Sequence, residues 1–299
     1  MTTAALFGVI AVVLAALSVH EFAHAWVADW LGDPTPRYQG RVTLDPLAHL
    51  HPLGTLMILM TALTGFGIGW GKPVPVNVSN FKGNKSLGMA MTSAAGPLSN
   101  IVQAAFAASL VHLARFIGYQ PSQTIVNALN VLVLIAGLAT LAAGAVIFYR
   151  WAQKRIPLRA STTGTYNWRV VDPRGKLPPW ENPTLLRQVV RLGLVFVLVL
   201  ATASAPNSIL LTAVFVNLGL ALFNLIPLGP LDGKNLVRGL LLSWRSDISV
   251  RLLRFLDQIE PHSMYILLGM VFVEQFLRIP VLSGPLWAGV QWFASAFGL

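Results

Sequence analysis

The chain has 299 residues, of which 55% are hydrophobic and only 11% charged, and it contains no cysteine. Soluble globular domains carry about 25% charged residues, so composition places this chain in a lipid bilayer, and the missing thiols exclude disulfides, thiolate metal sites and a cysteine nucleophile. The formal charge of +10 fits lysine and arginine gathered in cytoplasmic loops; with no basic run interleaved by stacking aromatics, nucleic acid is not expected as a partner.

Apolar runs long enough for membrane helices occupy about 3–28, 87–117, 124–149, 188–204, 208–226, 263–279 and 281–298. The first lacks the basic n-region of a signal peptide, and cleavage after it would fall beside His20, so it reads as a retained helix. A shorter run, HPLGTLMILMTALTGFGIGW at 51–70, is rich in glycine and threonine and bounded by prolines. The polar excursion at 150–187 is under forty residues, too short for an added sensor domain of ordinary size. In ISVRLLRFLDQIE, 248–260, apolar residues at helical spacing with arginines between them predict a helix lying on the membrane surface. Together these runs predict an all-α polytopic membrane protein with about seven transmembrane helices, built as a single domain over 1–299.

AALSVHEFAHAWVADW, at 15–30, sets His20, Glu21 and His24 within five positions behind an apolar run. Ionisable groups are costly in hydrocarbon and signal a function with a partner. Four apart on a helix, the two histidines share one face. That spacing suits a tetrahedral zinc ion, with Glu21 beside it to take a proton from a bound water. The alternative, two histidines packed on a buried helix face, leaves Glu21 unexplained.

A catalytic zinc usually takes three protein ligands and keeps one open position. No Glu follows Glu21 until Glu181, which leaves His49, His51, His112, His262 and a few aspartates. Asp232 stands out in FNLIPLGPLDGK, where prolines and glycines break a helix after an apolar run. Irregular backbone at membrane depth is tolerated where it packs in protein or lines a wet cavity. The alternative is an ordinary turn leaving the bilayer with Asp232 solvated at its end, and chemistry alone leaves both open.

Topology bears on the choice. If every run including 51–70 crosses the bilayer, the C-terminal ends of the 3–28 and 208–226 helices emerge on opposite sides, and Asp232 cannot meet His24. If 51–70 dips in and returns, both ends face the same side. The re-entrant arrangement puts nineteen basic residues on the cytoplasmic side, with Arg115 and Arg278 outside; the spanning one divides them seventeen to four. Both obey the positive-inside rule, so the zinc geometry has to decide. Glu274 lies one turn before Arg278, which predicts a local ion pair.

HEFAHAWVADWLGD, RVTLDPLAHLHPLGT, GWGKPVPVN, AAGPLSN and FNLIPLGPLDG follow in the order seen in site-2 proteases, the intramembrane zinc metalloproteases of peptidase family M50. The chain resembles that family over roughly 5–105 and 208–290. The resemblance implies one zinc ion bound by His20, His24 and Asp232, with Glu21 as the catalytic acid/base. It also implies a re-entrant/β-hairpin element at 37–78. Asn224 matches the asparagine of the family's N-x-x-P motif, which sits near the active site, and Asn100 matches the one closing the A-G-P motif. His51 stands where members of this branch commonly carry aspartate. Relative to compact members, the runs 124–149 and 188–204 with the loop between them look inserted, giving an extra helix pair and cytoplasmic loop at 119–205. No PDZ or CBS domain is expected.

The function so implied is hydrolysis of peptide bonds in or near transmembrane segments of membrane protein substrates. It would take place in a bacterial or archaeal cell membrane, with the active site toward the cytoplasmic side. Asn224 would donate to the substrate backbone or the developing oxyanion. A helical substrate hides its carbonyls in internal hydrogen bonds and has to unwind; edge pairing with a short strand in 37–44 or 71–78 would hold it extended. A zinc-binding membrane transporter or sensor without hydrolysis is the rival, and it gains little from an acid beside the metal. An inactive adaptor fits less well, because all the expected ligands remain. The 150–187 excursion either covers the active-site entrance or is a solvated connector.

Overall fold

The computed structural model describes residues 3–64, 70–155, 183–204, 206–244 and 246–299. Most of the 150–187 excursion and part of the 51–70 run therefore lie outside the described residues. The helices are α1 (Thr3–Trp30), α2 (Thr35–Tyr38), α3 (Pro46–His49), α4 (Pro52–Thr64), α5 (Lys85–Phe116), α6 (Gln123–Arg155), α7 (Pro183–Ser204), α8 (Pro206–Asn224), α9 (Asp232–Trp244), α10 (Asp247–Ile259), α11 (Ser263–Leu277) and α12 (Ser283–Ala296).

Four of them are long and apolar enough to cross a membrane: α1 over Leu6–Trp30, α5 over Lys85–Phe116, α6 over Gln123–Thr140 and α8 over Asn207–Asn224. Among the described residues of α7 there is an apolar stretch at Val190–Val199. With 15 and 14 residues, α11 and α12 rise only about 21–23 Å at about 1.5 Å per residue, short of a hydrocarbon core of about 30 Å. The chain between them turns at Arg278, whose φ of 54° is left-handed. Glu274 does not pair with Arg278 as the sequence predicts. Its carboxylate accepts from Leu282 N at 2.9 Å and Ser283 N at 2.8 Å, holding the start of α12.

A β-hairpin does not form among the described residues of 37–78. The short helices α2, α3 and α4 stand there instead, with Pro36, Pro46 and Pro52 in their first turns, where a missing N–H costs nothing. A single antiparallel bridge joins Leu50 to Gly71, backed by Lys72 N donating to His49 O at 2.7 Å. Pro73 and Pro75 have no N–H to carry a ladder further.

Asp33 fastens the far end of this segment. Its fully buried carboxylate accepts from Thr35 N (3.1 Å), Thr35 Oγ1 (2.6 Å), Asn77 N (2.7 Å) and Asn80 Nδ2 (2.8 Å). Burial alone would raise its pKa, but these donors outweigh it and hold the carboxyl below the ordinary aspartate value.

Two compact units form, Met1–Ala11 with Pro121–Ala205, and Val12–Gln120 with Pro206–Leu299. In the second, Ala104, Ala107 and Ala108 of α5 pack on Val214 and Leu218 of α8 and on Val290 and Ala294 of α12. The α5 residues recur at helical spacing, and their small side chains let backbones approach closely. Ion pairs of Arg238 with Asp257 and Lys234 with Glu260, at 2.5 and 2.8 Å, tie α9 to α10 and to the turn that follows it. On α10, Ile248, Leu252 and Phe255 share one exposed face. In the other unit α6 packs on α7 where Gly193 meets Thr140, leaving no room for a Cβ.

Candidate metal centre

Three ligand-type atoms converge in the second unit. His20 and His24 project from one face of α1, and Asp232 is the first residue of α9. His20 Nε2 lies 3.1 Å and His24 Nε2 3.2 Å from Asp232 Oδ2, and the two Nε2 atoms are 3.1 Å apart. Both histidines are buried, while the Asp232 side chain keeps 22% of its surface exposed, so the cluster has an opening on the carboxylate side. Asp232 reaches it because the chain after α8 folds tightly. Leu228 N donates to Ile226 O at 2.8 Å and Leu231 N to Leu228 O at 2.9 Å, and the Gly229–Pro230 peptide is cis. A Cβ at position 233 would overlap the carbonyls of Leu225 and Ile226, so glycine is required where α9 starts against this turn.

The second nitrogen of each ring settles what the first can do. His24 Nδ1 faces Thr92 O at 2.6 Å, and His20 Nδ1 faces Asn100 Oδ1 at 2.6 Å. Both partners are acceptors, so each neutral imidazole carries its proton on Nδ1 and presents a bare lone pair at Nε2. Two lone pairs and a carboxylate oxygen therefore point at one another. That donor set repels itself unless a cation lies between, and it is the set that binds zinc. In a tetrahedral zinc shell with bonds of about 2.05 Å, ligand atoms are about 3.3 Å apart, close to the separations here. Gly96 leaves the space: a Cβ there would lie 2.6 Å from His20 Nε2 and overlap His24 Nε2. Among the described residues, His20, His24 and Asp232 are the grouping able to hold a metal ion.

Glu21 is buried beside this cluster. A Cβ on Gly71 would lie 3.0 Å from Glu21 Oε1, so the backbone of the Leu50–Gly71 bridge passes directly against the carboxylate. Arg41, also buried, donates to Ala48 O, to Lys72 O and, at 3.0 Å, to Pro73 O. One guanidinium thus clamps both sides of the bridge. Burial lowers the Arg41 pKa and the Glu21 carboxylate works against it. His49, fully buried, donates from Nε2 to Thr43 O at 2.7 Å.

Of the third-ligand alternatives among the described residues, only Asp232 joins the histidine pair. His49 is turned to Thr43; His51 lies against Trp70 with ring centroids 6.1 Å apart; His112 bonds Phe297 O at 2.8 Å; His262 sits in the turn before α11. Asn224, the last residue of α8, donates its amide to Leu220 O at 2.9 Å within its own helix. Asn217, two turns earlier on the same face, is the one in the network, accepting at 2.8 Å from Asn100 Nδ2. Neither Asn217 nor Arg41 was given a role in the sequence. An asparagine inside an apolar run was the available signal for the first, and the place of Arg41 at the head of RVTLDPLAHLHPLGT was the signal for the second.

The profile of Peptidase family M50 matches residues 8–260. Over 91 residues the chain is 44% identical to the "Putative zinc metalloprotease YwhC" of Bacillus subtilis (strain 168), which takes in 30% of this chain and 39% of that protein. Over 98 residues it is 37% identical to the "Putative zinc metalloprotease Rip2" of Mycolicibacterium smegmatis (strain ATCC 700084 / mc(2)155), covering 32% and 36%. The matched stretch is thus less than two fifths of the length of these curated relatives. No solved structure matches the chain.

Proposed function

The chain belongs to peptidase family M50, and on that premise we propose that it is a zinc metalloendopeptidase of the site-2 type, cutting peptide bonds in or near transmembrane segments of membrane proteins. The observation that carries this is the convergence of His20 Nε2, His24 Nε2 and Asp232 Oδ2 within 3.2 Å of one another, beside the buried Glu21 carboxylate. Among the described residues, no group donates a hydrogen bond to that carboxylate.

His20, His24 and Asp232 would hold a single zinc ion, which would supply Lewis acidity toward the scissile carbonyl and the attacking water. Glu21 takes the proton from the attacking water and returns it to the leaving amine. Asn100 and Thr92 hold the imidazoles in the ligating tautomer throughout. Asn224 turns from Leu220 O to donate to the oxyanion. The Leu50–Gly71 edge, clamped by Arg41, holds an unwound substrate extended.

The same proposal places the protein as a multi-pass chain of a bacterial or archaeal cell membrane, with the centre toward the cytoplasmic side and 51–70 re-entrant. The meeting of His24 with Asp232 supports same-side exits for α1 and α8. The pair α6–α7 and its loop are taken as an insertion in one membrane domain.

The test is cleavage of single-pass membrane proteins by the purified full chain in detergent, with the membrane proteome compared between wild type and Glu21→Gln. Cleavage that stops with a zinc chelator and in Glu21→Gln, while that variant keeps its zinc, is the expected result. Zinc-loaded protein that leaves every single-pass substrate intact would favour the transporter or sensor instead.

A further inference from the structure

Asn217 sits in α8, 4% exposed, where a polar amide has to be satisfied by protein. Its Nδ2 donates to Ala213 O at 2.9 Å. A backbone carbonyl only accepts, so this bond identifies which end of the Asn217 amide is the NH2 and leaves Oδ1 turned to α5. There Oδ1 accepts from Asn100 Nδ2 at 2.8 Å. Asn100 Nδ2 also reaches Ala16 O at 3.4 Å, a second carbonyl that selects the same orientation. Asn100 is fully buried, and its Oδ1 is the atom left to face His20 Nδ1 at 2.6 Å.

The two histidines are therefore held differently. His24 is fixed by Thr92 O, and a backbone carbonyl cannot reverse. His20 is fixed by a side-chain amide, and an amide can turn over. A reversed Asn100 would donate to His20 Nδ1, drive the ring proton to Nε2 and remove that nitrogen as a ligand. We propose that Asn217 is a positioning residue for the metal centre: from α8 it locks the Asn100 amide in one orientation and thereby sets the tautomer in which His20 can bind metal. This rests on the metal-centre reading above and adds a residue outside every motif.

The test is titration of the full chain in detergent micelles with cobalt(II), followed by its d–d absorption bands, and with zinc(II) by competition. Asn217→Leu keeps volume but cannot accept; its metal affinity should fall about 10–100-fold, with altered bands, as for other lost partners of ligating histidines. Asn217→Asp keeps an oxygen toward Asn100 and should restore most of the affinity. In an Asn100→Asp background the carboxylate can only accept from His20, so adding Asn217→Leu should then cost little. Wild-type affinity and bands in Asn217→Leu would overturn the proposal. An equal loss in the Asn100→Asp background would do the same, since it would mark general damage to α5–α8 packing. Wild-type protein that binds neither metal would overturn the metal centre itself, and the relay with it.

Discussion

His20 Nε2 and His24 Nε2 face each other at 3.1 Å, and the space they point into is bounded by Gly96 of α5, where a Cβ would lie 2.6 Å from His20 Nε2. The centre thus depends on an absent methyl group as much as on its ligands. Gly96→Ala forces either the imidazoles or α5 to move, and overpacking of this kind costs about 1–3 kcal/mol. The strain falls on the ligands themselves. Affinity for zinc, measured by competition with a chelating dye, should therefore drop by about 5–150-fold, while the helix content of the metal-free protein stays as in wild type. An alanine variant with unchanged affinity would show that the rings are not confined as described.

The histidine half of this geometry was legible in the sequence because it rests on local periodicity: His20 and His24 share a face of α1 at any helical register. Asp232 was a weaker reading, open until the family resemblance and the chain's turn at 225–231 brought it to the pair. Other features depend on tertiary partners. Arg41 counted as one more cytoplasmic cation, yet it is buried because three carbonyls from two segments converge on it. The hairpin expected at 37–78 gave way to short helices, since prolines suit first helical turns and deny a ladder its donors. Asn217 belongs to none of the motifs, and its meaning lies wholly in what α5 places opposite it.

Arg41 should be irreplaceable by lysine. Its planar fork spans Ala48 O on one side of the bridge and Lys72 O and Pro73 O on the other, whereas an ammonium is a compact point charge. Arg41→Gln and Arg41→Lys both leave buried acceptors short of donors, at about 1–3 kcal/mol for an unsatisfied group. The Lys72 amide, bonded to His49 O at 2.7 Å, reports the loss. Its hydrogen exchange should quicken about 10–100-fold, with lysine recovering only part. Unchanged protection would remove Arg41 from the clamp.

His49 gives the same segment a pH dependence of defined sign. Burial, reinforced by Arg41, holds its imidazole below the ordinary value of 6.5, against the opposing effects of the Thr43 carbonyl and Asp45. The packed state therefore binds a proton less readily than the opened state. Its contribution is fully present above about 6.5 and is lost as pH falls through that value toward the lower folded pKa. Exchange at Lys72, corrected for intrinsic rates, should report an opening free energy that shrinks below pH 6.5 by no more than about 1.4 kcal/mol per pH unit. In His49→Phe that slope should vanish; a slope that persists would assign it to another group.

A substitution at Asn224 tests substrate handling apart from metal binding. Its amide is spent on Leu220 O inside α8, and the His20 network runs instead through Asn217, two turns away. Asn224→Ala should accordingly leave cobalt bands and zinc affinity as in wild type. If the amide turns to the oxyanion during reaction, kcat should fall about 10²–10³-fold with little change in KM, the usual signature of a lost donor to developing charge. A variant that loses metal would place Asn224 in the ligand scaffold. One that keeps full kcat would confine it to capping its own helix, leaving the oxyanion to be met by backbone donors near the Leu50–Gly71 edge.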